Sequence, residues 1–239
     1  MLGSRSLQVP VAVVAAACCI SGAALAITTN ARSVVDLSPT GVWFANDDAD
    51  SVSHVGLAGN DAVVAVNRPV GALTVTELDG VAYVVDDEGR LSRVDPALLR
   101  VSRRAQLPSS SSQLVAGGGR LYVVDRARGT AGELDPVELR ALGKPVTLGR
   151  QLGKAIVDDD GVLWVPDIAT GEVLEIEGSV VRSNNRVADP GDNVHLSAVG
   201  SQIVAINGDT ATVTEVASGG VGTMYSLAIT GTIDVPSLV

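Results

Sequence analysis

The chain has 239 residues and a formal net charge of −10; hydrophobic residues make up 46% of it and aromatic residues only 3%. This length suits one large all-β domain or two small ones, and a core built mostly from Val, Leu, Ile and Ala favours strands. The acidic balance argues against nucleic acid as a partner and against anionic membrane surfaces, because both need clustered Lys and Arg.

The N-terminal segment predicts a location outside the cytoplasm. Residues 9–27 form an apolar run, mostly Val and Ala, that follows a short polar start containing Arg5. Ala24-Leu25-Ala26 offers the small residues that a signal peptidase reads, whereas the length of the run also suits an uncleaved anchor. A lipoprotein signal at Cys18 is a third alternative, but the usual Leu before the small residues is missing. We therefore expect a signal peptide or membrane anchor over 1–30 and a protein that is secreted or held on the extracytoplasmic side of the cell membrane.

The cysteines point to the same compartment. Cys18 and Cys19 are the only two, and both lie in the apolar run. Residues 31–239, which we expect to form one domain, therefore have no disulfide and no cysteine-based metal site or nucleophile. Avoidance of free thiols fits an oxidising environment.

One phrase recurs along this domain: a turn glycine, a short β-branched and aromatic run, and a closing acidic residue. Its clearest copies are 80–86, 119–125 and 161–167, and weaker copies are 40–46 and 200–206. The large residue falls at 43, 83, 122, 164 and 203, in steps of 40, 39, 42 and 39. A strand repeat of about 40 residues is typical of a β-propeller blade. The absence of any helix-period stretch after residue 30 excludes a helical solenoid and a doubly wound α/β fold.

Turn signals divide the first three repeats into four predicted strands each and the last two into three each. In chain order the strands are 34–37, 42–45, 52–55 and 62–66; 73–78, 82–85, 91–94 and 98–107; 114–116, 121–124, 132–136 and 139–146; 155–157, 163–165, 172–177 and its continuation 178–181; then 195–199, 202–206 and 212–216. Residues 109–112 and 183–193 are predicted loops, and 219–229 is predicted to begin a sixth unit. The fold prediction is an all-β propeller of five to six four-stranded blades, with an incomplete last blade, behind an N-terminal apolar helix.

Residues 33–216 also resemble a known family. The phrases that carry the resemblance are Val-Asp-Leu-Ser-Pro-Thr-Gly-Val-Trp at 35–43, Val-Asn-Arg-Pro-Val-Gly at 66–71 and Leu-Trp-Val-Pro at 163–166. They are similar to the secreted, propeller-like proteins of high-GC Gram-positive bacteria labelled as fibronectin type III domain-containing proteins. The resemblance covers the N-terminal propeller region of that family only. It implies an extracytoplasmic propeller and no particular chemistry.

Few residues are candidates for chemistry. His54 and His195 lie in predicted strands without the neighbouring His or Glu that a metal or acid–base site needs, so we expect ordinary strand histidines. The acidic turns 47–50, 86–89 and 158–161 could bind Ca²⁺, but none has EF-hand spacing, and hairpin turns favour Asp and Gly for structural reasons. Gly117-Gly118-Gly119 precedes a strand, so it is not a phosphate loop. We predict no catalytic, cofactor-binding or metal-ligating residue.

Two functional hypotheses remain. The first is an extracytoplasmic binding or scaffold module of the cell envelope, whose partner is a protein or an envelope polysaccharide, since propeller loops carry recognition. The alternative is a secreted propeller enzyme of lyase, lactonase or glycosidase type with a site at the central channel. Such a site needs converging His, Glu or metal ligands, and this sequence has only two histidines, with no neighbouring motif of that kind.

The repeat makes two structural predictions. Tyr83, Tyr122 and Trp164 recur at one blade position and should be buried between blades. In the fifth copy, Ile203 stands where the aromatic residue is expected, and Ile206 stands where the acidic residue is expected. After residue 216 too little sequence remains for a complete four-stranded blade. We therefore expect a ring that is left open.

Overall fold

The structure is a computed structural model, and it describes residues 41–56, 62–66, 71–199, 202–217 and 220–226. Apart from one 3-10 turn, Asp47–Ala49, the regular structure within these ranges is all β. The strands are β1 Gly41–Asn46, β2 Ser51–Gly56, β3 Ala62–Ala65, β4 Leu73–Leu78, β5 Val81–Asp86, β6 Arg90–Asp95, β7 Arg100–Gln106, β8 Ser112–Gly117, β9 Arg120–Asp125, β10 Thr130–Leu134, β11 Val146–Thr147, β12 Ile156–Val157, β13 Leu163–Asp167, β14 Glu172–Glu177, β15 Val180–Arg186, β16 Val194–Val199, β17 Gln202–Asn207, β18 Thr212–Ala217 and β19 Gly220–Ser226.

These strands form five antiparallel sheets, each built from consecutive strands. We call them blades 1 to 5, formed by β1–β3, β4–β7, β8–β11, β12–β15 and β16–β19. In blades 2 to 5 the order in space is the order along the chain, and the first strand of each blade contacts the first strand of the next. This side-by-side arrangement is that of propeller blades, so the all-β prediction is confirmed. The described sheets do not close into a ring.

The repeated phrase, with its two turns, is the second strand of blades 2 to 5 and β1 of blade 1. Because the strand predicted before β1 lies outside the described residues, we count β1 as the second strand of blade 1. Gly80 and Gly161, with φ values of 77° and 78°, supply the positive φ of the turn before that strand. An Asp or Asn ends the strand, and its side-chain oxygen accepts a hydrogen bond from the backbone N–H two or three residues later, as in an Asx turn. These acceptors are Asn46, Asp86, Asp125, Asp167 and Asn207.

The fifth copy of the phrase lies one residue later than predicted. Val204 stands opposite Glu215 on the next strand, just as Trp164 stands opposite Glu175. Val204 therefore occupies the aromatic position and Asn207 the capping position, and the assignment of Ile203 and Ile206 to those positions was wrong. A shift of one residue moves every side chain of a strand to the other face of the sheet. Because residues 203–206 are all aliphatic, the sequence alone does not show which of the two registers is adopted.

Three other predictions are corrected by the pairing of strands. Residues 139–146 do not form a long strand, because the chain turns at Asp135 and Leu139 takes a φ of 57°. Hydrogen bonds from the backbone N–H groups of Glu138 and Val137 stabilise that turn and hold the pKa of Asp135 below its usual value. Residues 183–186 belong to β15, which begins after a turn at Gly178 instead of continuing β14. Residues 220–226 form β19, which pairs with β18 and completes blade 5 rather than starting a sixth.

The predicted apolar helix at 9–27, the strand at 34–37 and residues 227–229 lie outside the described residues. Within the ranges that the structure describes, no helix has the length and apolar character needed to cross a membrane.

The core lies between blades and repeats four times. Each cluster joins the aromatic residue of one blade to aliphatic residues on the second strand of the next: Trp43 with Ala82 and Val84, Tyr83 with Leu121 and Val123, Tyr122 with Leu163 and Val165, and Trp164 with Ile203 and Ala205. The three predicted rings, Tyr83, Tyr122 and Trp164, are at most 2% exposed, so their predicted burial is confirmed. We call the side of each blade that carries the aromatic position its forward face and the other side its backward face.

Candidate functional site

A cavity of about 650 Å³ opens at one end of blades 3 and 4. Arg126 and Ala127 come from the β9–β10 turn, and Ile168 comes from the β13–β14 turn. Residues 150–152 and Ser111 come from the segments that join successive blades. Because antiparallel strands alternate in direction, these turns and joining segments meet at the same end of the sheets. The cavity is therefore a loop surface supported by the strands of two blades.

Hydrogen bonds between separate segments hold this loop surface in place. Arg126 donates from Nε to the carbonyl of Leu152 at 2.9 Å, which ties the turn of blade 3 to the segment that leads into blade 4. Ile168 donates its backbone N–H to the carbonyl of Gln151 at 2.8 Å. Asp125 Oδ1 accepts from Ser109 Oγ at 2.8 Å as well as from the turn, so one buried carboxylate positions two of the lining segments.

Both charged side chains in the cavity lining are arginines. Arg126 and Arg150 are exposed, and neither belongs to a salt bridge among the described residues, whereas the lining contains no carboxylate. A guanidinium group is a planar fork of donors that matches a carboxylate or phosphate, and two of them at one cavity favour an anion. The volume falls in the range of about 300–1,000 Å³ that small-molecule sites occupy.

A second cavity, about 200 Å³, lies between β7 and strands β9 and β10. Its lining is mainly apolar, with Leu107, Val123 and Leu139 on its walls and Asp125 at its edge. Asp125 is 1% exposed, and its Oδ2 has no hydrogen bond from the described residues, although Arg128 Nε lies at 3.6 Å. This volume is below the range of small-molecule sites, so turn capping explains Asp125 best.

The structure does not bring the two histidines together. His54 is 3% exposed in blade 1, where its ring packs against Trp43 with 4.9 Å between ring centroids. His195 is half-buried on β16 in blade 5, opposite Ile206. No group of three or more His, Cys, Asp or Glu in the part of the chain that the structure describes is arranged to hold a metal ion.

The acidic turns use their carboxylates to organise the backbone. Asp47 Oδ1 accepts from the N–H of Leu73 at 2.8 Å, linking blade 1 to blade 2. Asp86 accepts from the N–H groups of Glu88 and Arg90 and from the Arg90 guanidinium. Asp158 Oδ1 accepts from the turn that follows it, and Oδ2 accepts from Trp164 Nε1 at 2.8 Å. These contacts support the structural interpretation of the acidic turns.

Sequence reasoning missed the arginine cavity. A signal was present, because Arg126-Ala127-Arg128 is basic at a turn where the first two blades carry Asp47-Asp48 and Asp87-Glu88. Arg150, however, lies 24 positions further along the chain, and only the packing of blade 3 against blade 4 places both side chains at one cavity.

Comparison with known proteins supports the fold. No family model and no curated protein matches the sequence. Among solved structures, the chain is similar to virginiamycin B lyase from Staphylococcus aureus, with 15% identity, a TM-score of 0.61, and coverage of 79% of this chain and 67% of that one. A streptogramin B lyase matches with 15% identity, a TM-score of 0.62, and coverage of 82% and 67%. Dihydro-heme d1 dehydrogenase NirN matches with 15% identity, a TM-score of 0.64, and coverage of 84% and 47%.

At this level of identity the likeness concerns the fold alone. The neighbours are β-propeller proteins, and the described sheets are arranged as theirs are. The chain therefore has the architecture of a β-propeller protein.

Proposed function

We propose that this protein is a β-propeller binding module of the cell envelope that holds an anionic polysaccharide at the cavity between Arg126 and Arg150. The observation that carries the proposal is the cavity itself: about 650 Å³, with two arginines and no carboxylate in its lining, on a chain of net charge −10. A cationic site on an acidic protein selects anionic ligands locally while the rest of the surface repels them.

Two features support a place outside the cytoplasm. The apolar run at 9–27 has the composition of a signal peptide or anchor. Residues 31–239 contain no cysteine, as suits an oxidising environment. An envelope polysaccharide that carries carboxylate or phosphate groups is a ligand available in that location.

The enzyme hypothesis has less support. His54 and His195 lie in different blades, and His54 is buried against Trp43. The described residues thus provide no pair of converging acid and base groups at the arginine cavity, whose lining has no titratable group other than arginine. Binding requires only the rigid loops and the two guanidinium groups.

The proposal is tested by isothermal titration calorimetry with polygalacturonate, poly(glycerol phosphate) and neutral dextran. We expect binding to at least one anionic polymer, weakening as salt is added, and none to dextran. The double variant R126E/R150E should lose at least about tenfold in affinity, since two charge-assisted contacts become repulsive.

The matched control is R100E/R104E, which changes the net charge equally at two exposed arginines on β7, away from the cavity. It should bind as the unaltered protein does. Equal loss in both variants, or no binding to either anionic polymer, would show that the cavity is not an anion site.

A further inference from the structure

The interface between neighbouring blades is the same contact used four times. On the second strand of blades 2 to 5, two backward-facing residues pack against the preceding blade and are buried. These pairs are Ala82 and Val84, Leu121 and Val123, Leu163 and Val165, and Ile203 and Ala205, all between 0% and 6% exposed. Every blade that has a predecessor therefore buries these two positions completely.

Blade 1 carries the same two positions without cover. Val42 is 55% exposed and Phe44 is 53% exposed, although both belong to β1, the strand equivalent to β5, β9, β13 and β17. Val55 and Val63, at 46% and 68%, extend the exposed apolar surface across β2 and β3. A contiguous apolar face of this kind marks an association surface.

Blade 5 carries the other half of this contact on its forward face, and that face is also incompletely covered. Val204 is half-buried, whereas the aromatic residues at its position in blades 1 to 4 are at most 5% exposed. Val213 is half-buried too, whereas its equivalents Val52, Leu91, Ala131 and Val173 are at most 1% exposed. Tyr225 pairs with Val213 on β19, which places it on the same side of the sheet, and it is 51% exposed.

We propose that the backward face of blade 1 binds the forward face of blade 5 of a second copy of this chain, head to tail. The two faces are the unused halves of an interface that the chain already forms four times. They do not meet within one copy, because Val42 and Phe44 stay more than half exposed. Such a heterologous contact joins copies into a closed ring or a linear oligomer.

The contact between copies should be weaker than the contact within a chain. Inside the chain, Trp43 and Tyr122 add hydrogen bonds to the backbone of the next blade, at Gly80 and Gly161. The side chain of Val204 cannot donate a hydrogen bond, and it buries less surface than an aromatic ring does. Association should therefore depend on protein concentration.

Cross-linking between two full-length chains tests the geometry. Both chains carry Cys18→Ala and Cys19→Ala and different tags; one also carries Phe44→Cys and the other Val204→Cys. Co-expressed and treated with a bismaleimide, they should give a covalent pair that contains both tags. Val204→Cys with Leu98→Cys, a residue 54% exposed in the β6–β7 turn, is the matched control and should give none.

Three results would overturn the proposal. A third variant carries both Phe44→Cys and Val204→Cys in one chain. If a cross-link forms only within this chain, and not between the two singly substituted chains, the ring closes on itself. A link between two Phe44→Cys chains would indicate a face-to-face dimer, and no link at any concentration would show that the two faces do not meet. As a second measurement, Phe44→Asp should reduce the mass found by light scattering without changing the far-UV circular dichroism spectrum, since Phe44 is exposed within one copy; an unchanged mass would also contradict the proposal.

Discussion

The four aromatic residues at the repeated position join each blade to the next through their apolar atoms, and three of them, Trp43, Tyr83 and Tyr122, also donate a hydrogen bond to the next blade. Trp43 Nε1 donates to the carbonyl of Gly80 at 3.0 Å, and Tyr122 Oη donates to that of Gly161 at 3.0 Å. Both acceptors lie in the turn before the second strand of the next blade. A buried aromatic ring with its polar tip satisfied adds direction to otherwise non-directional packing, which explains why this position recurs along the chain.

Tyr83 gives a prediction at this scale. Its hydroxyl donates to the carbonyl of Pro136 at 2.9 Å, so Tyr83→Phe should lower the free energy of unfolding by about 1 kcal/mol. Burial raises the pKa of Tyr83 above its usual value, and Arg93 beside it offsets part of that effect. Because the folded pKa is the higher one, the stability that Tyr83 contributes is complete below the unfolded pKa and is lost as pH rises through the folded pKa.

Urea unfolding at pH 8 and pH 11 measures this contribution. The unaltered protein should lose more stability between the two pH values than Tyr83→Phe does. Tyr225→Phe, at an exposed tyrosine, is the control and should behave as the unaltered protein. Equal alkaline losses in the unaltered protein and Tyr83→Phe would show that Tyr83 does not titrate as argued.

At the scale of the element, the turn after each second strand depends on one side-chain acceptor. Asp125 concentrates three contacts on one oxygen, because its Oδ1 accepts from Ala127, Arg128 and Ser109. Blades 1 and 5 use Asn46 and Asn207 for the same purpose, which shows that the turn needs an oxygen acceptor and not a charge.

Replacing Asp125 separates these two requirements. Asp125→Asn keeps the acceptor oxygen and should change the free energy of unfolding by less than about 1 kcal/mol. Asp125→Ala leaves the turn N–H groups without their acceptor and should cost about 1–3 kcal/mol. Guanidinium unfolding of both variants provides the comparison; equal losses would mean that the charge, through Arg128, matters more than the cap.

At the scale of the whole molecule, the blades form an open series with an exposed face at one end. β19 completes blade 5, and it contacts β15 of blade 4 as well as pairing with β18. It therefore protects the edge of β18, whose backbone groups would otherwise be free to pair with other chains. We therefore expect the strand to be needed even though several of its side chains, among them Val221 and Met224, are exposed.

Ending the chain after Ala217 tests the importance of that strand. The truncated protein should melt at a lower temperature and associate irreversibly, because β18 becomes an unprotected edge. Calorimetry and light scattering on both forms measure the two effects. The substitution Met224→Ser within the complete chain is the control and should leave the melting temperature nearly unchanged. A truncated form that melts like the complete protein would show that β19 adds nothing to the fold.

The sequence by itself determined the repeat, the all-β class and the places of most strands. The reason is local: a glycine at positive φ, an alternating or β-branched run and an Asx cap each act within a few residues. Burial of Tyr83, Tyr122 and Trp164 also followed from sequence, because a residue repeated at one blade position meets the same neighbour each time.

Only the tertiary structure decided the features that depend on distant segments. The register of β17 was set by pairing with β18, and β19 joined blade 5 because it pairs there, whereas both runs were ambiguous as sequence. Arg126 and Arg150 share a cavity because blade 3 packs against blade 4. Val42 and Phe44 have the composition of a buried strand, and they are exposed because no described blade precedes theirs. Burial depends on what covers a residue, and covering is a long-range property that a local pattern does not contain.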